Sequence, residues 1–171
     1  MKQKKIMLFL TAILVGLTAG IFFDWSFTIM PGLAPLPDDQ YILAFQSLNR
    51  KIQNPVFFLC FIGPVLALPL SAWMQWGTPG SIRPWLLVGA AVVYIVGVIG
   101  ITGVGNIPLN DALDVFDVRN STTAQIAQQR ALFEVPWNRL HNWRTAACLV
   151  TFGLTLAACF KWGEAATTTP T

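Results

Sequence analysis

The sequence predicts an all-α protein: a transmembrane four-helix bundle with short amphipathic helices in two outer loops. Three observations carry this. Of 171 residues, 54% are apolar and only 11% are charged, with a mean hydropathy of +0.57. An ordinary soluble domain is about 25% charged, so this chain has too little charge to cover a water-facing surface. Apolar runs near the ~20 residues a membrane crossing needs recur along the chain. Seven Trp and twelve Phe suit interfacial anchoring, and thirteen Gly suit close helix contact. The same composition argues against a soluble enzyme, a disordered chain, collagen and a disulfide scaffold.

Residues 1–171 are read as one membrane domain, with spans at about 6–23, 55–73, 84–104 and 137–160. The first has a basic start, an apolar stretch and the small residues Thr18, Ala19 and Gly20, as a secretory signal does. It continues through Ile21, Phe22 and Phe23, so it is assigned as a span. Gly16 and Gly20 form a Gly-x-x-x-Gly pair suited to helix packing. The outer loop 24–54 opens with Pro31, Gly32, Pro35 and Pro37, a non-helical turn region. Asp38 or Asp39 then caps a short helix whose Ile42, Phe45, Leu48 and Ile52 share one face. That helix lies on the membrane or caps the bundle.

Pro55 suits a first helical turn, and Pro64 and Pro69 predict kinks inside span 2. Gly77, Pro79 and Gly80 mark a short loop before span 3. Gly97, Gly100 and Gly103 invite close contacts. In the outer loop 105–136, Ser121 or Thr122 caps a helix through Phe133. Pro136 then breaks the chain or sits in the first turn of span 4. The tail from Gly163 is short, polar and mobile.

Cys60, Cys148 and Cys159 all lie in apolar runs and read as buried thiols. The net charge of +3 stems largely from Lys2, Lys4 and Lys5 beside the first span. Such residues set orientation, and no basic patch elsewhere suggests nucleic-acid binding. Lys2, Lys4, Lys5, Arg83 and Lys161 are dense in short segments on one side. Arg50, Lys51, Arg119, Arg130, Arg139 and Arg144 are dilute in long ones on the other. Both termini are therefore placed in the cytoplasm of a plasma (inner) membrane, with the long loops outward.

The polar groups of the last two spans are the candidate chemistry. The apolar part of span 4, residues 145–160, covers only ~24 Å of a ~30 Å hydrocarbon core. His141, Asn142 and Arg144 then fall at the outer boundary and should face the bundle interior. Trp137, His141 and Arg144 share one helical face, and Asn138, Asn142 and Thr145 the adjacent one. Asn106 and Asn110 flank Pro108 at the end of span 3, and Asp24 closes span 1 at the same level. For the Asn residues the competing role is bundle capping. For Arg144 it is an interfacial anchor or an ion pair with Asp24 or Asp111, and for His141 an interfacial imidazole. The Trp residues 25, 137 and 143 also suit an interface belt. One His with few nearby carboxylates is a poor metal site, and no phosphate loop or nucleophile elbow is present.

Two segments carry a resemblance. One is Thr102-Gly103-Val104-Gly105-Asn106-Ile107-Pro108-Leu109-Asn110-Asp111-Ala112-Leu113. The other is Trp137-Asn138-Arg139-Leu140-His141-Asn142-Trp143-Arg144-Thr145. Together they resemble the anthrone oxygenase family, whose pattern is Asn-x-Pro-x-Asn ending the third span and Trp-Asn…His-Asn-x-Arg-Thr opening the fourth. Pro31-Gly32-Leu33 and Asn54-Pro55 also fit, and the resemblance covers about residues 6–160.

It implies a small membrane oxygenase that converts an anthrone to an anthraquinone without metal, flavin or other cofactor. His141 would be the base. Arg144, Asn106, Asn110 and Asn142 would hold the oxyanion, Trp137 would wall the rings, and Asn138 and Asp24 would complete the substrate site. The ligand would be a lipid-soluble aromatic or quinone-like compound reaching the site from the bilayer. The alternative is a non-enzymatic four-helix subunit, scaffold, or lipid or quinone binder, with partner membrane subunits on its Gly-rich faces.

Overall fold

The computed structural model describes residues 2–77 and 80–160, and every regular element among them is helical. Pro79, Lys161 and the tail from Gly163 lie outside the described residues. Three helical rods are long and apolar enough to cross a membrane: Lys2–Leu33, Pro55–Gln75 and Arg83–Asp114. Their most apolar windows are only 33%, 39% and 28% buried within the protein. The remaining apolar surface faces outward, as a lipid solvent requires.

The first rod is α1 (Lys2–Asp24), a π-helical stretch (Trp25–Ile29) and α2 (Met30–Leu33). α3 is Asp38–Ile52 and α4 is Pro55–Gln75. The third rod is α5 (Arg83–Tyr94), two π-helical stretches (Ile95–Gly100 and Thr102–Asn106) and α6 (Ile107–Asp114). The last rod is a single helix, α7 (Thr123–Cys159). α1 packs on α4 and α7, and α5 packs on the same two, so the four rods close a ring.

Several helix ends differ from expectation. The Pro31–Gly32 segment is helical, and the turn begins at Ala34. The third rod likewise continues through Pro108. In both places a π-stretch directly precedes Met30-Pro31 or Ile107-Pro108. A widened turn makes room for a ring that would otherwise meet the carbonyl four residues back. Pro136 also lies within a continuous helix, and α7, at ~1.5 Å per residue, reaches ~55 Å, well beyond a bilayer core. α4 runs through Pro64 and Pro69. Asp38 and Asp39 sit in the first turn of α3 and do not cap it by side chain; Pro37 is the N-cap. Thr122 does cap α7, in a reciprocal box with Gln125. Cys159 is exposed, whereas Cys60 and Cys148 are buried, because Cys159 faces outward on the last turn of α7.

The bundle has two distinguishable ends. At one, Gln75 Nε2 donates to the Lys4 carbonyl, and the Arg83 guanidinium donates to the Phe160 carbonyl. The chain turns there at Gly77 and Gly80, whose φ of 84° and 71° suit residues without a Cβ. Midway, Thr11 Oγ1 shares a hydrogen with Ser71 Oγ at 2.7 Å. Thr18 donates to the Cys60 carbonyl at 2.7 Å, and Tyr94 to the Phe61 carbonyl at 2.6 Å. These bonds sit in a core of Leu8, Val15, Phe22, Leu68, Leu87 and Val98.

The other end carries a second core. α3 lies across the bundle mouth with Tyr41, Ile42 and Phe45 buried against Met30, Leu113, Ile126, Phe133 and Trp137. Gln46 Nε2 donates to the Leu113 carbonyl in the last turn of α6 and to the Phe116 carbonyl just beyond it. Arg130 binds Asp38, Glu134 and the Ala34 and Leu36 carbonyls, and stacks on Tyr41 at 4.3 Å. The Glu134 carboxylate, more than any other neighbour, holds the Arg130 guanidinium above even its usual high pKa. Burial pushes the Tyr41 phenol above the tyrosine range.

Candidate functional site

The site forms where the two cores meet. His141 is 2% exposed, Arg144 6% and Asn106 0%. The π-stretch after Asp24 lies close behind Phe22, and the Phe22 carbonyl accepts from side chains of α7. His141 Nε2 is 3.1 Å from it, and Thr145 Oγ1 donates to it at 3.3 Å. A carbonyl only accepts, so Nε2 carries the proton. Nδ1 is then the acceptor facing Arg144 Nη2 at 2.9 Å. The neutral Nε2–H tautomer satisfies both contacts.

Arg144 completes its fork with Nη1 donating to Thr102 Oγ1 at 3.1 Å, while Nε is buried without a partner. Its guanidinium lies over the Phe22 ring at 4.9 Å and the Trp137 ring at 5.5 Å. No carboxylate pairs with it among the described residues. A buried guanidinium held by two aromatic faces, an imidazole and a hydroxyl keeps its positive charge uncompensated. Such a charge favours an incoming anion.

Trp137 stacks on His141 with centroids 4.7 Å apart and planes 14° apart. Its Nε1 donates to Asn110 Oδ1 at 2.7 Å, and its carbonyl accepts from Asn106 Nδ2 at 3.3 Å. The two Asn of the third rod therefore fix the indole, which in turn backs the imidazole. Asn106 Oδ1 and Asn138 Oδ1 are buried without partners.

A cavity of about 240 Å³ opens against these groups. His141, Arg144, Trp137 and Asn110 line it, as do Thr102, Phe22, Trp25, Phe45, Phe57 and Phe61. Ordinary ligand pockets start near ~300 Å³, so this one suits a small flat molecule among aromatic walls. Among the described residues no three His, Cys, Asp or Glu side chains gather as metal ligands.

Of the residues singled out from sequence, His141, Arg144, Asn110 and Trp137 line one cavity, and Asn106 is buried directly behind Trp137. Asn138 is half-buried and does not line it. Asn142 and Asp24 are exposed and lie outside it. Asn142 is rotated ~100° from His141 by the helix itself. Asp24 does not close span 1, because the helix runs on past it and the carboxylate faces outward. The ion pair between Arg144 and Asp24 or Asp111 is absent from the structure. Asp111 lines the cavity instead.

Thr102, Phe22 and Phe45 were not anticipated. Thr102 precedes Asn106 and Asn110 at four-residue spacing, a legible signal. The Phe22 carbonyl gives none, since any residue has one.

A family model described as anthrone oxygenase matches residues 57–154, more than half of the 171-residue chain. No curated protein and no solved structure matches it.

Proposed function

The chain belongs to the anthrone oxygenase family, and on that premise we propose that it is a cofactor-free oxygenase of a lipid-soluble, hydroxylated aromatic ketone of the anthrone type. α7 is its fourth crossing, and both termini face the cytoplasm of a plasma (inner) membrane. The observation that carries the reading is the buried Arg144 charge, unpaired with any described carboxylate, beside an imidazole and an aromatic-walled cavity.

In the structure the Arg144 Nη2–H covers the His141 Nδ1 lone pair. A bound ketone oxygen that draws this N–H to itself uncovers the lone pair. Arg144 then holds the developing oxyanion while Nδ1 takes the C–H proton. The electron-rich anion passes one electron to O₂, and the resulting radical and superoxide combine to a peroxide anion. That anion takes the proton back from His141. Loss of the second C–H proton with cleavage of the O–O bond leaves a carbonyl and water. One oxygen atom ends in the quinone and the other in water. Asn110 and Asn106 keep Trp137 as the wall against which the rings lie.

The test is O₂ uptake and quinone formation by the purified protein supplied with 1,8-dihydroxyanthrone in air. Wild type is expected to turn over. Arg144→Met and His141→Gln should each lose at least ~100-fold, as loss of an oxyanion donor does. Full activity in both variants contradicts the assignment. Tight quinone binding with no turnover by wild type leaves the binder reading in its place.

A further inference from the structure

We propose that the groove at the opposite end of the bundle holds one anionic phospholipid, with its phosphate on Lys4 and Lys5 and an acyl chain along α1. The groove encloses about 1000 Å³. Its α1 wall is Lys4, Lys5, Leu8, Phe9, Ala12, Ile13, Gly16 and Leu17, pairs four residues apart on one helical face. From Lys5 to Leu17 the helix rises ~18 Å, close to the ~15 Å of one leaflet's hydrocarbon. Charge sits at one end only: below Lys5 the α1 wall is apolar, and no Asp or Glu lines the groove.

The opposite wall is Phe152 and Leu156 of α7. Phe152 rests on Gly16 so closely that a Cβ there would come within 3.0 Å of its ring. Ala12 and Gly16 thus form a floor without protruding side chains, and the slot is concave. The mouth is held in place by Gln75, whose amide donates to the Lys4 carbonyl. Neither lysine has a carboxylate partner among the described residues. Two lysine ammoniums, beside the Arg83 guanidinium that also lines the groove and donates to the Phe160 carbonyl, above an apolar slot of leaflet length match an anionic headgroup on an acyl chain, and a zwitterionic headgroup matches less well.

The full-length protein in mild detergent, offered equal amounts of dioleoyl phosphatidylglycerol and dioleoyl phosphatidylcholine, is read by native mass spectrometry. Wild type should keep one phosphatidylglycerol with roughly thirtyfold preference, the value of two interfacial charges. Lys4→Gln with Lys5→Gln should bring the two lipids to parity. Ala12→Phe, which fills the floor and leaves the charges, should lower retention of both. Equal retention of the two lipids by wild type overturns the proposal. So does a preference that survives the double lysine substitution, or a lipid-free dimer, which would assign the groove to a second copy.

Discussion

The two ends of this bundle are built by opposite means. The half around Thr11, Thr18 and Tyr94 joins its rods through small residues and single hydroxyl-to-carbonyl bonds. The cap joins α3 and α7 through edge-to-face aromatics and one arginine with five partners, and α3 to α6 through Gln46. Lipid tails are as apolar as leucine, so within the bilayer close approach and hydrogen bonds must draw rods together. In the cap, burial of Phe45, Phe133 and Tyr41 in a second apolar cluster itself drives docking. The site sits at the junction and takes one feature from each: an aromatic wall from the cap, and a helix carbonyl from the bundle.

The sharpest way to separate the two is to remove Arg130. Arg130→Ala leaves Asp38, Glu134 and two carbonyls without their donor and should cost about 2–3 kcal/mol. The loss belongs to the cap, so hydrogen exchange of α3 should accelerate by one to two orders of magnitude while α4 and α5 stay protected. Uniform acceleration through all rods would show that the ends do not behave independently.

The bundle half breaks by close approach instead. A Cβ on Gly97 would lie 2.7 Å from Ala147 Cβ, which no rotamer can relieve. Gly97→Ala should therefore cost about 2 kcal/mol by forcing α7 from the third rod. At Gly103 a Cβ meets nothing within 4 Å, so Gly103→Ala should be neutral or stabilise by up to about 1 kcal/mol. Thermal unfolding in one detergent compares the pair. Equal effects would show that the spacing at Gly97 is not tight.

The smallest effect is expected at Tyr41, whose buried hydroxyl has no partner. Tyr41→Phe should leave stability within about 1 kcal/mol of wild type or raise it. The folded phenol pKa is raised by burial, so its contribution is complete below the unfolded value of about 10 and fades as pH rises past that point. The variant should lack this alkaline loss in the cap. A phenylalanine variant as alkali-sensitive as wild type would place the effect elsewhere.

Three apolar rods were legible because hydropathy responds to lipid, and Pro55 and the Ser121-Thr122 pair announced two helix starts. Helix ends were less so. Pro31 read as part of a turn and Pro136 as a break or a first turn, and span 3 was ended before Pro108, yet all three lie inside helices, the first two directly after widened turns. In the site, Trp137, His141 and Arg144 were readable from scarcity and spacing. The exclusion of Asn142 needed the rotation of α7 against α1, and the role of α3 needed contacts from Tyr41 and Phe45 to residues far along the chain. The partner of His141 is a backbone carbonyl, for which sequence has no letter.

The central claim is that His141 holds one proton on Nε2 and offers Nδ1 only when Arg144 turns to a ligand. As the chain's one histidine, it can be observed directly by ¹⁵N NMR of histidine-labelled protein. The account predicts a single Nε2–H tautomer in the free protein, and a changed Nδ1 signal both in Arg144→Met and on adding a hydroxyanthraquinone anion. A mixture of tautomers that neither the substitution nor the anion alters would contradict it.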